Sequence, residues 1–91
     1  YQIYFWRTQA GEEVDFVLYG PNGLHAFELK RSGTITSKSL KGLQAFGQDY
    51  PEAQLSVIYL GKQTEYHGKI TARPIIEALL ALPQLLGNKP A

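Results

Sequence analysis

Glu13-Val14-Asp15-Phe16-Val17-Leu18-Tyr19, then Gly20-Pro21-Asn22-Gly23, then Leu24-His25-Ala26-Phe27-Glu28-Leu29-Lys30 is the stretch whose reading decides the fold. Both flanks alternate and are rich in aromatic and β-branched residues, the pattern of strands. The residues between them are all turn formers, so the stretch predicts a β-hairpin. Two registers are open. With Pro21-Asn22 at the turn centre, Tyr19 faces Leu24, Val17 faces Ala26, Asp15 faces Glu28 and Glu13 faces Lys30. With Asn22-Gly23 there, Asp15 faces Lys30 and Glu28 becomes its diagonal neighbour. In both, the period of two puts Glu13, Asp15, Glu28 and Lys30 on one face, unless a one-residue bulge intervenes.

Facing carboxylates repel across a strand pair. They need a cation, a shared proton or open water between them. A hard divalent ion such as Mg2+ takes oxygen ligands, often one or two carboxylates plus waters. Lys30 beside such an ion would stabilise charge developing on a phosphate or help orient a water. The bland alternative is a solvated sheet face with Lys30 in a surface ion pair with Glu13 or Glu28.

The chain has 91 residues, which is one small domain with a modest core. Its hydrophobic fraction of 44% is ordinary for a globular chain and too high for disorder. There is no cysteine, which excludes disulfides, zinc-thiolate sites and thiol nucleophiles. No apolar run is long enough for a transmembrane helix, and no leader has the form of a signal peptide, so a cytoplasmic location without membrane contact is expected. Methionine is absent and the sequence opens directly on an aromatic strand, which reads as a piece of a larger protein. A net charge of +1 carries no global nucleic-acid signature. Locally, however, Lys30, Arg31, Lys38 and Lys41 follow one another with no acidic residue up to Gln48. They form either a basic patch or four solvated charges.

Around the hairpin the elements fall in a clear order. Ile3 to Thr8 predicts a first strand and 9–12 a turn. After a loop at 32–36, Ser37 or Thr36 can cap a helix running to about Asp49. Leu40, Leu43, Phe46 and Tyr50 would form its apolar face. Pro51 stops it. Gln54 to Leu60 is a nearly continuous apolar run, as expected of a strand buried on both faces and parallel to Leu24–Lys30. Short strands are expected near Thr64–Tyr66 and Lys69–Ala72. A last helix would start at Pro74 and be ended or kinked by Pro83. Residues 87–91 read as a frayed tail. The expected fold is α/β: one domain over 1–91 with a mixed sheet on a four-stranded core, an antiparallel meander plus a parallel crossover strand, flanked by helices. His25 falls on the face opposite Asp15, as a packed residue, and His67 in a solvated loop. Tyr4, Trp6 and Tyr66 are read either as exposed aromatics available to a partner or, as is more usual in such strands, as core.

This order, with Asp15 followed at a distance by Glu28-Leu29-Lys30, resembles the PD-(D/E)xK restriction-endonuclease-like superfamily. The resemblance implies that Asp15 and Glu28 bind a divalent metal, Mg2+ or Mn2+. It also implies that Lys30 is catalytic and assists attack of water on a phosphodiester. A closer likeness runs through Tyr4-Phe5-Trp6-Arg7-Thr8, Gly11 to Val17, Phe27 to Lys30, Leu40 to Phe46 and Tyr59-Leu60-Gly61. It is to the C-terminal domain of unknown function of prokaryotic AAA-type ATPases. There the N-terminal ATPase domain of the same protein would be a partner, since this chain has no phosphate-binding loop. The pattern departs from the superfamily in three places. A first core helix would lie before Tyr1, Val14 stands where the motif has proline, and Gln44 is followed by Gln48 where some relatives carry Gln-x-x-x-Tyr.

Two functions follow from the likeness. One is a metal-dependent DNA phosphodiester hydrolase, with Glu13 orienting Lys30 or a metal-bound water and Arg31, Lys38 and Lys41 tracking the DNA backbone. The other is a nuclease-like module that does not cut but binds nucleic acid, a partner or its own ATPase domain.

Overall fold

The computed structural model describes residues 2–7, 13–85 and 87. The expected turn at 9–12 and the tail at 88–91 lie outside them. Six strands form one mixed sheet: β1 (Gln2–Arg7), β2 (Glu13–Gly20), β3 (Gly23–Leu29), β4 (Gln54–Tyr59), β5 (Glu65–His67) and β6 (Ile70–Pro74). The spatial order is β1-β2-β3-β4-β6-β5. Helix α1 (Lys41–Asp49) covers one face and α2 (Ile75–Leu85) the other. The fold is α/β with an antiparallel meander and parallel crossover strands, as expected.

The hairpin takes the first register: Tyr19 pairs with Leu24, Val17 with Ala26, and Gly20 with Gly23 around a two-residue turn. Gly23 has φ 100, a conformation open to glycine and strained for a residue with a Cβ. From β3 the chain crosses over through a 3-10 turn (Lys38–Leu40) and α1 to β4, which lies parallel to β3. Of the two expected caps, Thr36 takes the role. Its Oγ1 accepts from the Ser39 N–H at 3.3 Å, and the Thr36 N–H donates to Ser39 Oγ at 3.2 Å. Ser37 makes no side-chain cap.

Strand β4 lies inside the sheet, and its side chains at Leu55, Ser56, Val57 and Tyr59 are buried. The two short strands form an edge. The chain runs through β5, turns at Gly68 with φ 63, and returns as β6 parallel to β4. One expectation about proline is corrected, and another, that Pro83 ends or kinks the last helix, is narrowed because the helix does not end there. Pro74 is the last residue of β6, not the first of the helix, because it still pairs with Tyr59 in the sheet. Pro83 lies inside α2, which continues to Leu85. The carbonyl that loses its bond to Pro83 belongs to Leu79, a residue 60% exposed, so water can satisfy it.

The core lies on the α1 face, where Val17, Ala26, Leu43, Phe46, Val57 and Tyr59 are among the buried cluster. Gly47 lets α1 approach the sheet closely, since a Cβ there would meet Leu55 Cδ1 at 2.8 Å. Trp6 is half-buried rather than exposed, because its ring packs edge-on to Phe46 at 5.3 Å. Ile3, Tyr4 and Phe5 are exposed along β1. Thus three of the four apolar residues that open the sequence remain uncovered.

Candidate functional site

One irregularity in β2 shapes the site. Tyr4 pairs with Val17, yet two residues further along β1 Trp6 pairs with Val14, so β2 carries one extra residue between these pairs. Val14 and Val17 both point into the core, which a strand of unbroken period two cannot do. The single face expected for Glu13, Asp15 and Val17 is therefore interrupted by this bulge. Beyond it the phase is regular, and Phe16 stacks on Phe27 across the strand pair with ring centroids 5.1 Å apart.

At the bulge the Asp15 side chain turns to the neighbouring strand. Its Oδ2 accepts the Leu29 backbone N–H at 2.6 Å. The carboxylate thus replaces a backbone carbonyl in the ladder, and its second oxygen is left for other partners. Beside Asp15 a cleft of about 330 Å3 opens, lined also by Phe5, Trp6, Arg7 and Val14. Leu29 is flanked by the other two predicted residues. Glu28 shares the α1 face with Ala26 and is buried, at 8% exposure. Lys30 closes the strand end by donating its N–H to the Ile58 carbonyl at 2.9 Å. Its Nζ stands 3.8 Å from Glu28 Oε1. Asp15 is thus tied to the backbone of Leu29, the residue between Glu28 and Lys30.

Pairing of Glu28 with Lys30 offsets part of the cost of burying a carboxylate. At 3.8 Å it is a loose ion pair that leaves the ammonium free to take a second anionic partner. The side chain of Glu13 lies outside the described residues. Among the described residues no group of three or more His, Asp or Glu side chains is placed to hold a metal ion. Two carboxylates suit only an ion that keeps waters or substrate oxygens in its remaining positions. Arg31, Lys38 and Lys41 are all exposed, in the loop after β3, the 3-10 turn and the first turn of α1.

Other expected features sort differently. His25 is buried at 1% exposure, lies parallel to the Phe27 ring, and has its Nε2 3.2 Å from the Asn22 carbonyl. His67 is not in a loop but ends β5, where its Nε2 lies 2.9 Å from Glu65 Oε1. Gln44 and Gln48 line a groove with His67 and Lys69.

Sequence reasoning passed over Tyr59. Its ring is buried on the α1 face, and its hydroxyl donates to the Gln63 carbonyl at 2.5 Å and to Glu65 Oε2 at 3.2 Å. Burial, reinforced by the Glu65 charge, holds the phenol above its ordinary range, so it stays a donor. Gly61 makes room for the ring, since a Cβ there would lie 2.1 Å from Tyr59 Cε2. The available signal was Glu65-x-His67, two polar residues on one side of a short strand following a buried tyrosine.

Comparison with curated proteins and with solved structures gives no match. Residues 1–78 match the family described as Domain of unknown function (DUF4143). That span runs through the sheet, the hairpin with Asp15, Glu28 and Lys30, and the first residues of α2. The chain therefore belongs to the DUF4143 domain family.

Proposed function

We propose that this domain binds a divalent cation, Mg2+ or Mn2+, at Asp15 and Glu28 and hydrolyses phosphodiester bonds in DNA. This is the activity implied by its likeness to the PD-(D/E)xK superfamily. The observation that supports the reading best is at the end of β3, where Asp15 is tied to the backbone of Leu29 and the residues on either side of Leu29, Glu28 and Lys30, form an ion pair. Asp15 is anchored to the Leu29 N–H at 2.6 Å, and Lys30 Nζ stands 3.8 Å from Glu28 Oε1. The donor set is all carboxylate oxygen, as a hard cation requires. A bound cation of this kind lowers the pKa of a coordinated water and neutralises phosphate charge.

The chain's own residues divide the remaining work. The Leu29 N–H fixes one Asp15 oxygen and so aims the other. Burial restricts the Glu28 carboxylate beside Lys30. Lys30 keeps an ammonium at the strand end, where it faces charge developing on the phosphate. Arg31, Lys38 and Lys41 hold the backbone on either side, which gives sequence-independent, salt-dependent binding. In this reading the domain works in the cytoplasm beside an AAA-type ATPase domain of the same protein.

The test is a supercoiled-plasmid cleavage assay with the full chain, with and without Mg2+ or Mn2+. Lys30→Ala should abolish cleavage and leave metal binding intact, whereas Lys38→Glu and Lys41→Glu should weaken DNA binding. Cleavage that persists in an Asp15→Asn, Glu28→Gln double variant would overturn the assignment.

The exposed Ile3, Tyr4 and Phe5 on β1 favour a second reading, a nuclease-like module that docks on a partner without cutting. That reading is preferred if the wild type neither binds a divalent cation nor cleaves.

A further inference from the structure

On the α1 side, the turn end of the hairpin leaves an open groove of about 490 Å3 between β1 and the end of the helix. The strand register builds it. Tyr4 pairs with Val17, and Tyr19, two residues along β2 on the same face, pairs with Leu24. Trp6 packs edge-on to Phe46, and the Tyr50 ring centroid lies 4.7 Å from that of Phe46. Buried Val17 and Phe46 form the floor, and Tyr4, Trp6, Tyr19 and Tyr50 stand around it. The three tyrosines are 46%, 55% and 40% exposed. The Tyr4 hydroxyl donates to Gln2 Oε1, whereas those of Tyr19 and Tyr50 have no partner among the described residues. Glu52 is the one charged residue lining the groove among those described, and it is exposed and unpaired there.

Each of these features narrows the occupant. Flat aromatic faces with polar tips suit a partner that is apolar but still carries hydrogen-bond acceptors. A carboxylate with no base among the lining residues favours a cation and repels a phosphodiester chain. An added β-strand needs free backbone N–H and C=O groups, which lie along the β1 edge and not on this face. A helix keeps its carbonyls for its own hydrogen bonds. A polyproline II segment meets all of these demands. Its rings lie flat on aromatic side chains, and its carbonyls project outward with no internal hydrogen bond. We propose that this groove binds a proline-rich polypeptide segment that carries a basic residue. Prolines sit among the Tyr4, Trp6, Tyr19 and Tyr50 rings, carbonyls accept from the Tyr19 and Tyr50 hydroxyls, and the basic residue pairs with Glu52. The site stands apart from the proposed metal centre: Tyr19 and Leu24 flank the hairpin turn, whereas Asp15 reaches Leu29 at the other end of the strand pair.

Trp6 is the single tryptophan of the chain and lines the groove, so its fluorescence reads occupancy directly. The full chain is titrated with a blocked peptide of prolines around a central arginine. Two control peptides carry glutamate in place of the arginine, or alanine in place of the prolines. The proline–arginine peptide should shift the Trp6 emission saturably. The glutamate peptide should bind about fivefold more weakly, the upper range for an exposed ion pair. The alanine peptide should not saturate at the same concentrations, because it lacks the preformed extended helix. Tyr19→Ala should weaken binding about tenfold or more, as for an aromatic anchor of an interface. If that variant does not fold, Tyr19→Leu, which keeps the bulk and loses the ring and hydroxyl, should still bind several-fold more weakly. Glu52→Gln should remove most of the preference for the arginine peptide over the glutamate peptide. No saturable shift, equal binding of the alanine peptide, or unchanged affinity in the folded Tyr19 variant would overturn the inference. So would an unchanged peptide preference in Glu52→Gln. Tighter saturation by oligothymidylate would assign the groove to single-stranded nucleic acid instead, and a concentration-dependent Trp6 shift without peptide would assign it to a second copy of this chain; either result also overturns the inference.

Discussion

The two faces of the sheet are built from the same strands but finished differently. On the α1 side, Leu43 and Phe46 of the helix meet Ala26, Val57 and Tyr59 of the sheet, and all are buried. On the α2 side, a helix richer in large apolar residues buries only Ala78 fully among its described side chains. Hydrophobicity therefore does not decide which helix packs. Close approach does: Gly47 lets α1 come down onto Leu55, whereas a cavity lined by Ile75, Leu79 and Leu82 remains between α2 and the sheet. The closed face carries the candidate site at its margin, where buried Glu28 emerges beside Lys30.

The comparison breaks most easily through the core. Leu43→Ala on the closed face should destabilise the domain by about 2–5 kcal/mol, whereas Leu80→Ala on the open face should stay within about 0.5 kcal/mol. Denaturant titration of both variants checks this, and equal losses would show that α2 is as well packed as α1. Gly61→Ala comes next. A Cβ there overlaps the Tyr59 ring, so a loss of about 1–3 kcal/mol is expected, the usual cost of overpacking. A neutral result would mean that the ring can move and that the β4–β5 loop is not tied to the core through it.

A subtler test uses pH. The Tyr59 phenol is held above its ordinary range in the fold, first by burial and then by Glu65. The folded state therefore keeps a proton that the unfolded chain gives up. The stabilisation is complete below the unfolded tyrosine pKa of about 10 and is lost as pH rises through the higher folded value. Thermal melts from pH 8 to 11 should show wild-type stability falling over that upper range, and Tyr59→Phe should flatten part of the fall. An unchanged slope in the variant would remove Tyr59 as its source.

The smallest effect is expected at the site itself. Asn in place of Asp15 still offers a carbonyl oxygen to the Leu29 N–H and removes a negative charge. Asp15→Asn should therefore change the melting temperature of the metal-free domain little, or raise it slightly. A large drop would mean that the aspartate serves the fold rather than a ligand.

How much of this could be read from sequence depended on how local the cause was. The hairpin register was open to two turns, and Gly23 with its positive φ fixes the one that leaves Pro21-Asn22 at the centre. The apolar run at 54–60 announced a buried parallel strand, because both of its faces needed cover. The bulge was not legible. Val14, Phe16 and Leu18 alternate as well as Asp15, Val17 and Tyr19 do, and only pairing with β1 reveals the extra residue. Insertion of β6 between β4 and β5 was likewise hidden, since short edge strands carry little pattern of their own. Pro83 left an end or a kink open for a related reason: a proline stops a helix only where the freed carbonyl finds no other partner. At the site, Asp15, Glu28 and Lys30 were legible as a set from spacing and family likeness. The N–H anchor on Leu29 was not, because it depends on the bulge.

The most direct measurement is isothermal titration of Mg2+, and separately Mn2+, into the wild-type chain and into Asp15→Asn, Glu28→Gln and Lys30→Ala. The account predicts saturable binding to the wild type at one site. Binding should be lost in either carboxylate variant and largely kept in Lys30→Ala, with a matching rise in melting temperature only where binding persists. Wild-type protein that takes up neither ion, or carboxylate variants that bind as well as wild type, would contradict the claim that Asp15 and Glu28 form a metal site.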